Sequence, residues 1–305
     1  MNKVIRIGTR ESQLAVWQAD KVKSLLLEQG YQSELVFIKS DGDTDLKTPL
    51  YEIGVQGIFT KALDIALLNG AIDIAVHSMK DVPTIMAHGV VQAAVLPRAS
   101  YKDILVLKDE MAVPREASPI PAIIATSSIR RKAQWLHKYP NDKIENLRGN
   151  VNTRLRKVAE SDWHGAIFAA AGLERIGLRP QSAVELNWML PAPAQGAIVV
   201  VCRANDKFYF DACHTFNDAD TEICTEIERD FLRALLGGCS TPISALAQVK
   251  NGELFFEGNI LSDDGSQKKE ITLQVPFKQA PGLGRIAGKE LLDQGGQAIL
   301  DTNKK

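Results

Sequence analysis

AIIATSSIRRKAQWLHKY, residues 122–139, passes from an apolar run through hydroxyl residues into a basic segment of helical composition. A short apolar run, a hydroxyl cap and then a helix make the β–α half of a β–α–β unit, from which sheets with parallel strands are built. The same reading recurs on both sides of it. Towards the N-terminus, a strand at 4–8 precedes a helix at 12–29, in which Leu14, Trp17, Val22, Leu25 and Leu26 fall at helical spacing. Ser12 caps that helix and Gly30 ends it, and a second strand follows at 35–38. A further helix ends at Gly70 and leads to an apolar strand at 72–76. HSMKDVP (77–83) then lies at that strand's C-terminal end, where ligand sites gather in open α/β sheets. Towards the C-terminus, ILVL (104–107), IENL (144–147) with a helix beginning near Val151, and GAIFAAAGLERIG (165–177) continue the series. AIVVVC (197–202), beyond the Pro-rich LPAPAQ, reads as a return to the first set of strands.

A chain of 305 residues is too long for one ordinary core. The element order predicts a first α/β lobe from 1–97 with 194–216, a second, arginine-rich α/β lobe at 98–193, and a smaller α+β domain at 217–305. In the last of these a helix at 221–236 precedes alternating strands such as GELFFEGNI and EITLQVP, then a final helix. With 45% hydrophobic and 24% charged residues, the composition is that of a globular protein and excludes a disordered or fibrous one. No apolar run approaches the roughly 18 residues of a membrane span, and MNKVIRIGTR enters a strand without a signal-peptide stretch. A cytoplasmic location with no membrane partner is therefore expected. The four cysteines lack CxxC spacing, so reduced thiols and no metal site are expected; Cys202, in an apolar strand, and Cys224, on a helix, read as inert, and Cys213 has no assigned place.

Net charge is −1, which argues against a surface made for nucleic acid. The charges are unevenly placed, however. Arg130, Arg131, Lys132, Arg148, Arg154, Arg156 and Lys157 crowd one region, with Arg175 and Arg179 soon after, a pattern suited to a polyanion of limited size. In TSSIRR (126–131), backbone N–H groups at a helix start, hydroxyls and two arginines can converge on one anion, and LRGNVNTR (147–154) repeats the arrangement a strand later. Arginine grips a carboxylate through two parallel hydrogen bonds, which lysine cannot copy. HSMKD places Lys80 and Asp81 beyond a buried strand, facing a cleft, while His77 reads as a satisfied histidine at the strand end and not a base. Cys239 follows Gly237 and Gly238, which end the preceding helix and leave the thiol on a loop.

IGTRESQLAVWQA, GDTDLKTPL, HSMKDVP, TSSIRRKAQ, LRGNVNTRL, AAAGLERIGL, PAPAQGA and GGCSTPI occur in this order across almost the whole chain, which thereby resembles the porphobilinogen deaminases. The resemblance implies two lobes like type II periplasmic binding proteins and a third domain carrying an attachment cysteine. It also implies a transferase that deaminates four porphobilinogens and joins them head to tail on a dipyrromethane, held by a thioether to Cys239, before hydrolysis releases hydroxymethylbilane. Porphobilinogen and the growing polypyrrole are the implied partners, and a monomer the implied state. By motif position Asp81 is the implied catalytic carboxylate. By the same resemblance Lys80, Asp81, Thr126, Ser127, Ser128, Arg130, Arg131, Arg148 and Asn150 are implied to hold the cofactor, Arg10, Ser12, Gln18, Arg154 and Arg175 to receive substrate, and Gln195 to lie in the hinge. The chain departs from the family pattern at Gln56, Ala62, Asp64 and Ala194, and in PRASYKDIL, which lacks the acidic residues common there. A non-catalytic, two-lobed carboxylate-binding protein is the competing reading; nucleic-acid binding lacks any accompanying motif.

Overall fold

The computed structural model describes residues 3–40, 60–109, 120–235 and 241–303. The chain opens with β1 (Ile5–Thr9), α1 (Gln13–Glu28) and β2 (Ser33–Phe37), and Ser12 Oγ caps α1 by accepting from the Ala15 N–H. Next come α2 (Lys61–Leu68), β3 (Ile74–Ser78) and β4 (Val90–Val95). β3 starts two residues later than the apolar run suggests. The Ala71 and Ile72 N–H groups are still closing α2 on the Ala66 carbonyl, and the Asp73 carboxylate is taken by the Arg6 backbone and guanidinium at 2.7–3.0 Å. His77 thus sits inside the strand.

A second set follows: β5 (Asp103–Leu107), β6 (Ile123–Ala125), α3 (Ile129–Lys138), β7 (Lys143–Glu145), α4 (Val151–Glu160), β8 (Gly165–Ala169), α5 (Ala170–Glu174) and β9 (Val184–Glu185). Then the chain returns through β10 (Ile198–Arg203), as the AIVVVC run anticipates, to α6 (Lys207–His214). α6 is where Cys213 lies, buried.

The two five-stranded sheets have orders β2-β1-β3-β10-β4 and β7-β6-β8-β5-β9, which correspond strand for strand. In each, one strand runs antiparallel to its neighbours, β10 in the first and β5 in the second. Each is the strand whose chain has just crossed from the other sheet. The two crossings lie side by side, with the Ala99 N–H donating to the Gly196 carbonyl at 3.1 Å and Arg98 Nε to the Gln195 carbonyl at 2.8 Å. These are two α/β lobes of the periplasmic-binding-protein-like, type II class, followed by a smaller α+β part.

That part comprises α7 (Ala219–Ala234), the antiparallel β11 (Ile243–Lys250), β12 (Glu253–Leu261) and β13 (Lys268–Pro276), then α8 (Leu283–Leu291) and α9 (Gln297–Asn303). Its core joins Phe231 of α7 to Phe256 of β12, ring centroids 5.2 Å apart. α8 crosses α7 so closely that a Cβ on Gly284 would lie 2.0 Å from the Ile227 carbonyl oxygen. The single final helix expected from the sequence is two: the wide turn Leu292–Gly296, where Gly295 takes φ 103°, breaks it. Among the described residues, no helix is long and apolar enough to cross a membrane.

Candidate active site

The loops after β1, β3, β6, β7 and β8 all leave the C-terminal ends of parallel strands, and they carry nearly every polar residue singled out above. After β3 the chain makes one tight turn, Met79–Asp81, bearing Lys80 and Asp81. That turn is held from two sides. Gln18, buried on α1, donates from Nε2 to Ser78 Oγ at 2.8 Å. Arg229 of α7, also buried, donates to the Val82 and Pro83 carbonyls at 2.8 and 2.5 Å. A cavity of about 70 Å³ opens beside it, lined by Arg10, Ser12, Gln18, His77, Ser78 and Asp81.

On the facing lobe, Ser128 caps α3 and Asn150 caps α4, through side-chain oxygens that accept from the Arg131 and Thr153 N–H groups. Ser127 Oγ bonds Asn146 and both backbone groups of Leu147, tying the two cap loops together, and Thr126 Oγ1 accepts from the Ser128 N–H. These side chains therefore shape the loops and leave helix-start N–H groups toward the cleft. Arg130 and Arg131 both reach Asp103, at 2.8 Å each, and Arg131 also donates to the Ile167 carbonyl. Gln195 joins this cluster, donating to Asp103 Oδ1 at 2.9 Å and to the Tyr101 carbonyl at 2.8 Å while its Oε1 accepts from Lys80 Nζ at 3.3 Å. Gln195 thus links the Lys80 turn of one lobe to the arginine pair of the other.

Cations predominate here. Burial, which would raise the Asp103 carboxyl, is outweighed by Arg130 and Arg131, which hold it well below the usual carboxylate range. Lys80 is pushed down to about 8, by burial first and then by Arg131, against the opposing pull of Asp81 and Asp103. Arg154 is pushed down to about 10 by burial and by Arg131 and Arg148, against the pull of Asp81. Among the described residues, six cations (Arg10, Lys80, Arg130, Arg131, Arg148, Arg154) thus share one field with two carboxylates, Asp81 and Asp103. Arg130 keeps a buried Nε with no hydrogen-bond partner among the described residues. Arg175, at the end of α5, donates to the Gly196 carbonyl at 2.7 Å and lies 5.7 Å from the Trp17 ring across the cleft.

Sequence reasoning did not identify Asp103, Arg98, Glu228 or Arg229 as site residues. The one available signal for Asp103 was a charge heading the apolar strand DILVL. His77, expected to be a satisfied histidine, has a buried Nε2 with no partner among the described residues. Cys202, Cys213 and Cys224 are buried, with thiols pushed up to about 11, 12 and 12, chiefly by burial, as inert sulfurs should be. Cys239, Gly237, Gly238, Gln56 and GDTDLKTPL lie outside the described residues.

Residues 5–211 match the family model described as porphobilinogen deaminase, dipyromethane cofactor binding domain, and residues 222–293 match the one described as porphobilinogen deaminase, C-terminal domain. Curated relatives include a chloroplastic porphobilinogen deaminase of Oryza sativa subsp. japonica, 42% identical over 98% of this chain and 86% of that protein. A porphobilinogen deaminase of Syntrophotalea carbinolica is 41% identical, over 98% of this chain and 96% of its own length. Among solved structures, the methionine-binding protein MetQ aligns with TM-score 0.46 and 13% identity over 71% of this chain and 91% of its own.

Proposed function

The chain belongs to the porphobilinogen deaminase family, and from that premise we propose how its own residues carry out the family's reaction. Four porphobilinogens are deaminated and joined head to tail on a covalently held dipyrromethane, and hydrolysis then releases the linear tetrapyrrole hydroxymethylbilane. Each pyrrole brings an acetate and a propionate, so every addition puts two more carboxylates into the cleft. The donor set fits such a group: desolvated guanidiniums in excess over carboxylates, one with a buried Nε still to be satisfied. When bound, the dipyrromethane supplies the nucleophilic α-carbon at which the chain grows.

Lys80, Arg130, Arg131 and Arg148 hold its acid arms, and Thr126, Ser127, Ser128 and Asn150 shape the helix starts whose N–H groups assist. Cys239 is the attachment residue. Arg10, Ser12, Gln18, Arg154 and Arg175 receive the incoming substrate, with Arg10, Ser12 and Gln18 lining the cavity that Asp81 closes. When ammonia leaves the substrate, the remaining azafulvene is cationic at its pyrrole nitrogen. A fixed Asp81 carboxylate near that N–H stabilises the charge as it develops, and takes up a proton as the next ring regains aromaticity. Gln195, in contact with both lobes, serves as the hinge. The enzyme acts as a cytoplasmic monomer, without nucleic acid or membrane.

The observation that carries this reading is the field of six cations around the Asp81 turn. Intact mass tests it. Freshly purified protein should exceed its sequence mass by two pyrrole units, and Cys239→Ser should return to the bare value; active protein of unmodified mass would overturn the assignment.

A further inference from the structure

We propose that His77 relays the proton released in each condensation, carrying it from the Asp81 cavity towards Asp64. The inference rests on the deaminase reading and adds a residue to it. The His77 ring stands between two spaces: the cavity it shares with Arg10, Gln18 and Asp81, and a second of about 10 Å³ bounded by Asp64, Val82 and Met86. The second is the size of one water molecule. His77 is 6% exposed and its Nε2 has no partner among the described residues, whereas buried imidazoles ordinarily have their nitrogens bonded. A buried, unbonded imidazole nitrogen on a residue that lines both spaces is a proton carrier's equipment, since a neutral imidazole accepts at one nitrogen and donates from the other.

The charges around it support the direction of flow. Arg10, on the loop after β1, is the charge that acts on the ring; Asp81, on the turn after β3, lines the first space and Asp64, on α2, the second, while β10 sets Val199 opposite His77. Burial, helped by Arg10, pushes the imidazole down to about 4, so the ring stays neutral at working pH. A carrier at that level lies close to the ordinary carboxylic range of about 3.9 and passes a proton on without trapping it. Asp64 is raised by burial, against the pull of a hydrogen bond to Thr60, and so holds a proton more readily than an exposed aspartate.

The chemistry requires such an outlet. In each cycle the aminomethyl C–N bond breaks and its electron pair leaves with ammonia. A C–C bond then forms to the α-carbon of the growing end, and that carbon's C–H bond breaks, its pair restoring the ring. The half-buried Asp64 passes the freed proton to water, where it balances the ammonia released, so each ring yields one ammonium with no oxidant or other reactant. A carboxylate that kept this proton would be neutral when the next cation forms. The relay returns Asp81 to its charged state.

The test uses holoprotein and porphobilinogen carrying deuterium at its free α-carbon. His77→Phe should retain the two-ring mass increment and a KM within about twofold, while kcat falls at least about tenfold, the lower range for losing a proton-transfer group. A primary isotope effect on kcat should appear or grow, because C–H cleavage becomes limiting. Asp64→Asn should move both readouts the same way by less. An unchanged kcat, or a fall in kcat with no change in isotope effect, overturns the relay. Should His77→Phe not fold, His77→Gln carries the same comparison. Native protein that releases no ammonia from porphobilinogen would instead refute the deaminase reading itself.

Discussion

Asp103 is ion-paired with Arg130 and accepts from Arg131 and Gln195 with no exposed surface, whereas Asp81 borders an open cavity. Two aspartates among arginines therefore have separable tasks. Asp81→Asn should lower turnover at least about a hundredfold, as when a charge-stabilising group is removed, while the dipyrromethane stays attached; ammonia release against intact mass measures both. Asp103→Asn should instead destabilise the fold by about 3–5 kcal/mol near neutrality, because two buried guanidiniums lose their counter-charge. Its sign with pH is set by the depressed folded value. The contribution is complete above the unfolded aspartate pKa of about 3.9 and fades as pH falls below it, so urea unfolding of native and variant protein should converge in acid. The arginines, Lys80 and Asp81 were legible in the sequence because they sit in motifs at strand ends. Asp103 was not, since a lone acid before a strand is commonplace and its partners lie 27 and 28 positions later.

α5 leads through β9 into a crossing whose backbone is unusually constrained. Ala194 adopts φ 61°, and Gly196, at φ 89°, sits where a Cβ would come 2.7 Å from the Ala99 carbonyl oxygen. A left-handed alanine costs about 1–2 kcal/mol, so Ala194→Gly should leave the melting temperature equal or higher once glycine's entropy of about 0.5–1 kcal/mol is set against the relief. Ala194→Val should lower it by the equivalent of about 2 kcal/mol or more, since a branched side chain tolerates that region worst and the site is fully buried. Calorimetric scans of the pair decide this. At this scale the periodic segments were readable and the short ones were not. β9 is two exposed residues with no pattern to recognise, and the start of β3 depended on a helix-capping bond and on Arg6, far away in sequence.

Glu228, buried on α7, gathers three parts of the molecule: Arg98 of the first crossing at 2.6 and 3.1 Å, the Ala194 N–H of the second at 2.6 Å, and the Ala247 N–H of β11 at 2.7 Å. Glu228→Gln should cost more than about 3 kcal/mol and split unfolding into separate transitions, because the α+β part then loses its charged tie to both crossings and is left with neutral hydrogen bonds to them, such as that from the Arg98 backbone N–H to Thr221 Oγ1. A single, barely shifted transition would show that the tie is not what makes the molecule melt together. The lobes themselves were legible from the alternation of strands and helices, but this tie joins residues 98, 194, 228 and 247, which no local pattern relates. The exchanged strands have a further consequence during synthesis. When β4 has left the ribosome, the place between it and β3 is still vacant, and β10 emerges only about a hundred residues later. At about 5–20 residues per second the nascent chain exposes two unpaired strand edges for several seconds. Translation speed through the second lobe, and the chaperones that shelter that gap, should therefore govern how much of the newly made chain escapes aggregation.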